Sequence, residues 1–262
     1  MEITVSLFMK RSTRLCQQHP TPKDFKCYPL VVAGFITSLI TSNIIAVKLV
    51  AFRLPFDTPF NLLVLPAGII IFPISYIFGD ILTEVYGYGR ARQTIWIGFL
   101  CNLATVGAIW IAGLLPAAPF WTAGQAYHSV QEAEHAYHAI LGFTPRLLVA
   151  SFIAYLIGEF VNSFVLAKMK IATRGRWLWS RTISSTLAGQ LADSSVFSIL
   201  AFIGTIPGPA LIQVIITGWL VKSLYEALAT PLTYWIVGAL KRLEQEDYYD
   251  IKTRFHPFLF WE

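Results

Sequence analysis

The sequence contains little charge for its length. Acidic and basic residues make up only 13% of its 262 residues, about half of the roughly 25% that is typical of soluble domains. Hydrophobic residues reach 55%, the mean hydropathy is +0.58, and the apolar residues are gathered in long blocks. This pattern excludes an ordinary soluble protein and predicts a polytopic membrane protein.

Cysteine and the common nucleotide motifs are also scarce. Cys16, Cys27 and Cys101 show no C-x-x-C spacing, so we expect neither a disulfide framework nor a zinc site, and no cofactor. Gly87-Tyr-Gly89 follows an apolar run rather than a strand, which argues against a dinucleotide fingerprint. No Walker-type Gly-Lys-Ser/Thr, H-E-x-x-H or G-x-S-x-G sequence occurs. The chain is therefore not expected to hydrolyse ATP by itself or to act as an enzyme.

Six apolar runs are long enough to cross a bilayer, which requires about 20 helical residues. They lie near residues 29–52, 62–86, 93–115, 146–168, 182–204 and 210–240. We expect an all-α fold of six transmembrane helices, with a cytoplasmic N-terminal segment (1–28), an external loop (116–145) and a cytoplasmic tail (241–262). Asp80 and Asp193 occupy comparable depths in runs two and five, which is compatible with two inverted three-helix halves.

The lysine and arginine residues predict the orientation. Sixteen of the 20 fall in the two terminal segments and in the loops after runs two and four, whereas only Arg53 and Arg146 fall on the other side. The positive-inside rule then places both termini in the cytoplasm, as in a bacterial inner-membrane protein. The net charge of +5 is accounted for by this topology and by contacts with anionic lipid headgroups, so we expect no nucleic-acid partner.

The external loop contains one helical signal. Ser129-Val-Gln-Glu132 has the spacing of a capping box and precedes apolar residues at helical intervals. We predict a short amphipathic helix over the external mouth or on the bilayer surface. His128, His135 and His138 lie in or beside this helix, where a solvated polar face is favoured over a metal site.

Polar side chains interrupt the apolar runs in pairs at the spacing of one helix face. The pairs are Asp80 with Glu84, Glu159 with Asn162, Gln190 with Asp193, and Lys222 with Glu226, to which run one adds Asn43. Each of these residues could have a purely structural role, for example in hydrogen bonds between helices. Lys222 could pair with Glu226 at i,i+4. Asp80 or Glu84 could contact Arg90 or Arg92. Because each intramembrane charge costs about 2.5–3.5 kcal/mol on insertion scales, the whole set favours a polar cavity for a polar solute.

Three segments together resemble the bacterial queuosine precursor transporters, a group of six-helix inner-membrane proteins within the vitamin uptake transporters. They are Phe78-Gly-Asp-Ile-Leu-Thr-Glu-Val-Tyr-Gly-Tyr-Gly-Arg90, Gly158-Glu-Phe-Val-Asn-Ser163 and Ser185-Thr-Leu-Ala-Gly-Gln-Leu-Ala-Asp-Ser194. The resemblance covers about residues 30–250. It implies import of 7-cyano- and 7-aminomethyl-7-deazaguanine for the queuosine of tRNA.

The residues are chemically compatible with that implication. A carboxylate of Glu159 or Asp193 can accept the paired N–H donors of a deazaguanine edge. We assign the polar rim of the base to Gln190 and Asn162 and its stacking to Tyr155 or Phe197, and Asn43 or Lys222 could also donate to its carbonyl. We expect Asp80, Glu84, Lys222 and Glu226 to serve as gate or coupling residues. Three alternatives stay open: a substrate-binding subunit for another purine-like or vitamin solute that needs a separate ATPase module, an intramembrane enzyme, and a scaffold. A homodimer is also compatible with the sequence.

Overall fold

The computed structural model describes residues 25–46, 48–53, 62–122, 124, 126–142, 145–204, 207–251 and 253–258. Most of the predicted N-terminal segment, including Cys16, lies outside these residues. The helices are α1 (Tyr28–Ile45), α2 (Phe72–Ile81), α3 (Tyr88–Leu114), α4 (Val130–Leu141), α5 (Pro145–Ala172), α6 (Leu178–Phe202) and α7 (Gly208–Glu244). The all-α class is therefore confirmed.

A hairpin replaces the helical ends expected between the first two runs. Strands β1 (Leu49–Arg53) and β2 (Leu62–Pro66) pair antiparallel, with Leu49 opposite Pro66 and Arg53 opposite Leu62. A 3₁₀ turn (Ala67–Ile70) then leads into α2. The runs 29–52 and 62–86 are thus only partly α-helical. Pro66 accounts for part of this difference, because proline disfavours helical backbone at the residue before it.

The helix that carries Asp80 changes its winding near its end. Residues Leu82–Tyr86 continue α2 as a π-helical turn, and Gly87 ends it with a φ of 87°, a conformation that residues with a Cβ rarely adopt. π-helical turns are rare in proteins, but those that occur are often found at functional sites. Here the turn contains Glu84, so the two carboxylates of the sequence motif lie on differently wound stretches of one helical segment.

The helical segments have the composition of a multi-pass membrane protein. Within the described residues five are long and apolar enough to cross a membrane: Tyr28–Ile45, Ala67–Tyr86, Tyr88–Leu114, Leu148–Ala172 and Leu211–Glu244. The sixth long helix, α6, contains more polar residues, but Ser185, Gln190, Asp193 and Ser198 are buried inside the bundle. The polar residues that lower the hydropathy of α6 therefore face the interior of the bundle. Large apolar side chains of the same helix, such as Leu191 and Ile199, are exposed on its outer side.

The apolar core lies where α1, α2, α3 and α5 meet. Phe35 and Leu39 of α1 pack with Ile81, Ile95 and other buried side chains. Outside this core the surface is strongly apolar, as shown by Leu228 (74% exposed) and Trp235 (70% exposed) on α7. Exposed apolar side chains over whole helix faces are what a lipid environment requires.

The helix predicted after Ser129 is confirmed as α4, and its place outside the membrane stays a prediction. The backbone N–H of Glu132 donates to the Ser129 hydroxyl at 3.2 Å, and the Glu132 carboxylate accepts from the His128 N–H at 3.0 Å. The Tyr137 hydroxyl donates to the carbonyl of Ile109 at 3.1 Å and ties α4 to α3. An open groove of about 610 Å³ beside α4 is lined by Pro116, His128 and Glu134 among others, far along the chain from the intramembrane carboxylates.

Candidate functional site: a buried polar chamber

Polar side chains from four helices converge in the interior of the bundle, in a region called here the chamber. All of them are at most 6% exposed. They are Tyr76 and Asp80 of α2, Glu159 and Asn162 of α5, Gln190, Asp193 and Ser194 of α6, and Glu226 of α7. The structure thus brings together six of the predicted site residues from four separate stretches of the chain.

Most polar atoms of the chamber have no hydrogen-bond partner within the described part of the protein. Asn162 donates to one carboxylate oxygen of Asp80 at 2.8 Å. The unpartnered atoms are both carboxylate oxygens of Glu159 and of Glu226, both side-chain amide atoms of Gln190, the second oxygen of Asp80, the side-chain oxygen of Asn162, and the hydroxyls of Tyr76 and Ser194. A buried polar atom without a partner costs about 1–3 kcal/mol. This concentration is typical of a site where a ligand supplies the missing donors and acceptors.

Two glycines allow α5 and α6 to approach closely at the chamber. A Cβ on Gly158 would lie 2.7 Å from the Tyr76 hydroxyl and 2.8 Å from the Asp193 Cβ, and one on Gly189 would lie 2.8 Å from the Asn162 Cβ. Small residues at such crossings are the usual device for close packing of transmembrane helices. They bring Tyr76, Asp193 and Asn162 close together.

An ion pair occupies one edge of the chamber. Lys222 of α7 donates to Asp193 of α6 at 2.7 Å, and its ammonium lies 4.4 Å from the centroid of the Phe72 ring. The Lys222 side chain is 23% exposed, whereas that of Asp193 is 8% exposed. Lys222 therefore pairs with Asp193 of another helix, and the expected i,i+4 pair of Lys222 with Glu226 is wrong.

Glu84 belongs to a separate charge network at the other end of the same helical segment. One of its carboxylate oxygens lies 2.6 Å from Lys241, 2.9 Å from Arg181 and 3.5 Å from Lys170. Asp247 bridges the two lysines at 2.7 and 2.8 Å. Glu84 is fully buried, so these ionic contacts are shielded from water. The expected partners Arg90 and Arg92 lie elsewhere, with Arg90 over the Phe25 ring at 4.1 Å.

The chain after α7 folds back over this network as a strap, defined as residues 245–251 and 253–258. The carboxylate of Asp250 accepts the backbone N–H of Tyr88 at 3.0 and 3.1 Å, at the start of α3. Arg92 donates to the carbonyls of Arg254 and His256 at 2.9 and 3.0 Å. A negative charge at a helix N-terminus is favourable. The acidic tail is thus a packed element, and not the ordinary solvated face that its mixed charges suggest.

Glycine is required where the strap meets the bundle. The ring of Tyr248 occupies the position that a Cβ on Gly87 would take, and Lys170 donates to the Tyr248 carbonyl at 2.6 Å. Burial alone raises the pKa of the Asp247 carboxyl, but hydrogen bonds from Lys170 and Lys241 outweigh it and hold that pKa below its ordinary value. The strap is therefore fixed to the bundle by ionised groups.

Three predicted substrate-binding residues are not among the side chains of the chamber. Tyr155 is buried, but its hydroxyl donates to the Ile95 carbonyl of α3 at 3.1 Å. Phe197 is half-buried and packs edge-on against Phe202, with the ring centroids 6.0 Å apart. Asn43 is half-buried on α1. Their contact with a substrate stays a prediction.

Tyr76, like Ser194, is a chamber residue that our sequence assignment omitted. Its hydroxyl is buried, lacks a partner and interacts electrostatically with Asp193, Glu159 and Glu226. A signal was available, since Tyr76 precedes Asp80 by four residues on one helix face. Within the described ranges, no group of three histidine, cysteine or acidic side chains is arranged to hold a metal ion.

Two curated proteins that are similar to this chain carry related names. The chain is 27% identical over 168 residues to the "Probable queuosine precursor transporter" of Bacillus subtilis (strain 168), which covers 64% of this chain and 69% of that protein. It is 25% identical over 164 residues to the "Queuosine precursor transporter" of Escherichia coli (strain K12), which covers 63% of this chain and 64% of that protein. No solved structure gives a significant match. Residues 66–236, which include every residue of the chamber, match the family described as "Putative vitamin uptake transporter", and the chain belongs to that family.

Proposed function

We propose that this protein imports queuosine precursors, 7-cyano- and 7-aminomethyl-7-deazaguanine, across a bacterial inner membrane for salvage into tRNA queuosine. Family membership and the names of its relatives support transport of this substrate class. The observation that carries the proposal is that both carboxylate oxygens of Glu159 and both side-chain amide atoms of Gln190 are buried in the bundle interior without a partner among the described residues. The two Glu159 oxygens can accept the paired N–H donors of a guanine-like base. The Gln190 amide can both donate to and accept from the remaining polar atoms of the base.

Glu159 is the better of the two carboxylates considered for the base edge. Asp193 is already bonded to Lys222, so a substrate would have to displace an ammonium from it. Both oxygens of Glu159 are free to accept the ring N–H and the exocyclic amine as a forked pair. Gln190 and the free oxygen of Asn162 then complete the polar rim of the base.

Stacking on the base is assigned to the aromatic residues near this edge. Tyr155 interacts electrostatically with Glu159, and Tyr76 lies across the chamber against Gly158. Planar bases stack on such rings with about 1–3 kcal/mol per base in other binding proteins. Phe197 and Asn43 remain further candidates for contact with the base.

The Glu84 network is proposed as the cytoplasmic gate. It joins the π-turn after α2 to the ends of α5 and α7 and the start of α6 through Lys170, Lys241 and Arg181. With both termini cytoplasmic, its opening would connect the chamber to the cell interior. Lys222, at the opposite edge, is proposed as the external gate, and Asp80 and Glu226 as coupling residues.

Liposomes that contain only this protein test the proposal. Uptake of labelled 7-cyano-7-deazaguanine is expected in the wild type and is expected to fall at least tenfold in Glu159→Gln, because an amide cannot accept both donors. Glu134→Gln on α4, outside the chamber, is the matched control and should keep full uptake.

Each outcome of that assay separates the alternatives. Uptake without any ATPase module contradicts the reading as a subunit that depends on one. Full uptake by Glu159→Gln would overturn the assignment of the base edge while leaving the transport function intact. Absence of binding and of uptake for both precursors would overturn the proposed function itself.

A further inference from the structure

We propose that the chamber contains a cation subsite centred on Glu226, which makes the protein selective for the cationic 7-aminomethyl precursor over neutral 7-substituted deazaguanines. This inference rests on the proposed function. It starts from an excess of buried negative groups over positive groups in the chamber.

The excess is visible in the ionic contacts. Of the four chamber carboxylates, Asp193 alone has a cation bonded to it, namely Lys222 at 2.7 Å. No ion pair or cation contact is found for Asp80, Glu159 or Glu226 within the part of the chain that the structure describes. They are 0%, 0% and 1% exposed. Uncompensated charge at such burial is strongly unfavourable, so these groups require a positive ligand or protons.

The three carboxylates lie near one another but on different helices. Glu226 of α7 interacts electrostatically with both Asp80 of α2 and Glu159 of α5. The unpartnered hydroxyl of Tyr76 is within electrostatic range of both Glu159 and Glu226. A flat ligand that contacts Glu159 with one edge can therefore present another edge to Glu226 while it remains next to Tyr76.

The chemistry of the substrate then divides the carboxylates by role. A neutral base needs one carboxylate for its paired N–H donors, and Glu159 supplies it. An ammonium on a side arm needs a second carboxylate, and both oxygens of Glu226 are available to it. Asp80 is less suitable because one of its oxygens already accepts from Asn162. A cyano group carries no proton to donate and leaves Glu226 without a partner.

The test compares three ligands that share one base. Binding of 7-aminomethyl-, 7-hydroxymethyl- and 7-cyano-7-deazaguanine to the purified full-length protein is measured at neutral pH. The hydroxymethyl compound has nearly the same shape as the aminomethyl compound but carries no charge. Both compounds can donate a hydrogen bond to the Glu226 carboxylate, but only the ammonium compensates its buried charge, so the aminomethyl compound should bind more tightly than the hydroxymethyl compound by roughly tenfold or more.

The Glu226→Gln variant assigns the subsite. It should lose most of this preference, because a neutral amide cannot compensate an ammonium. Glu134→Gln should keep the preference. The wild-type comparison of aminomethyl with hydroxymethyl requires no variant, so it stands even if Glu226→Gln folds poorly.

The outcomes distinguish this inference from the proposed function. Equal affinity for the aminomethyl and hydroxymethyl compounds, or an unchanged preference in folded Glu226→Gln, would overturn the cation subsite while import of deazaguanines remained supported. If none of the three ligands binds and none is transported, the proposed function falls, and the inference falls with it.

Discussion

Replacing Glu84 with glutamine tests whether the buried charge network fixes the cytoplasmic end of the bundle. One Glu84 oxygen contacts Lys241 at 2.6 Å, Arg181 at 2.9 Å and Lys170 at 3.5 Å. In Glu84→Gln the only carboxylate left to the three cations among the described residues is that of Asp247, which contacts the two lysines. Arg181, whose side chain is 1% exposed, then loses its carboxylate partner.

The magnitude follows from this burial. Breaking a buried ion pair by removing one partner costs about 3–5 kcal/mol, because the remaining charge stays desolvated. Lys241 is 23% exposed, so water compensates part of its loss and the lower half of that range is expected. The comparison variant Asp247→Asn removes a carboxylate that is 44% exposed and should cost only about 1 kcal/mol.

Reversible unfolding of the purified protein in detergent, followed by circular dichroism, measures both variants. Glu84→Gln should be the less stable of the two by about 2 kcal/mol or more. Removing the orphaned cation as well, in Glu84→Gln with Arg181→Gln, should restore part of the loss, since matched removal of a buried pair is far less costly than removal of one partner. A Glu84→Gln protein as stable as Asp247→Asn, or no recovery in the double variant, would refute the reasoning.

Three further predictions concern other parts of the molecule. Tyr155→Phe should cost about 1 kcal/mol, the usual net value of one hydrogen bond, because only the bond to the Ile95 carbonyl is lost; uptake that falls by more than the loss of folded protein would instead show that the hydroxyl meets substrate. Ser129→Ala should destabilise α4 locally by about 1 kcal/mol through loss of its N-cap, which hydrogen exchange of the first turn measures and Ser129→Asp should avoid. The lowered pKa of Asp247 predicts that its stabilisation is complete above its unfolded pKa of about 3.9 and is lost as pH falls through the lower folded value; acid titration of unfolding should show this loss in the wild type and not in Asp247→Asn.

The sequence predicts most of the residues that form the chamber, but it does not predict which side chains bond to each other. Asp80, Glu159, Gln190, Asp193 and Glu226 stand out in the sequence because charged and amide side chains are costly inside apolar runs. Their neighbours across helices could not be derived in the same way. Lys222 is one turn from Glu226 along α7, yet it bonds to Asp193 of α6, because the packing of α6 against α7 decides which carboxylate lies within its reach.

The packing of the strap could not be predicted for the same reason. The residues after α7 carry mixed charges that are typical of a solvated tail, and no local periodicity marks them as packed. Their place depends on the N–H group at the start of α3 that Asp250 caps and on the Cβ-free surface of Gly87 that the Tyr248 ring covers. Both partners are more than 150 residues away along the chain.

What the sequence by itself determined is the class of the protein: a membrane-embedded bundle with polar groups inside it, a capped helix after Ser129 and a recognisable transporter motif. Apolar run length, capping spacing and the cost of intramembrane charge are local properties, so they can be inferred without a fold. The tertiary structure alone decided that Glu84 joins Lys170, Arg181 and Lys241, that Asp193 is compensated by Lys222, and that Glu159 and Glu226 have no compensating cation among the described residues. Charge pairing across helices depends on distances of a few ångströms, and those distances are set only when the helices pack.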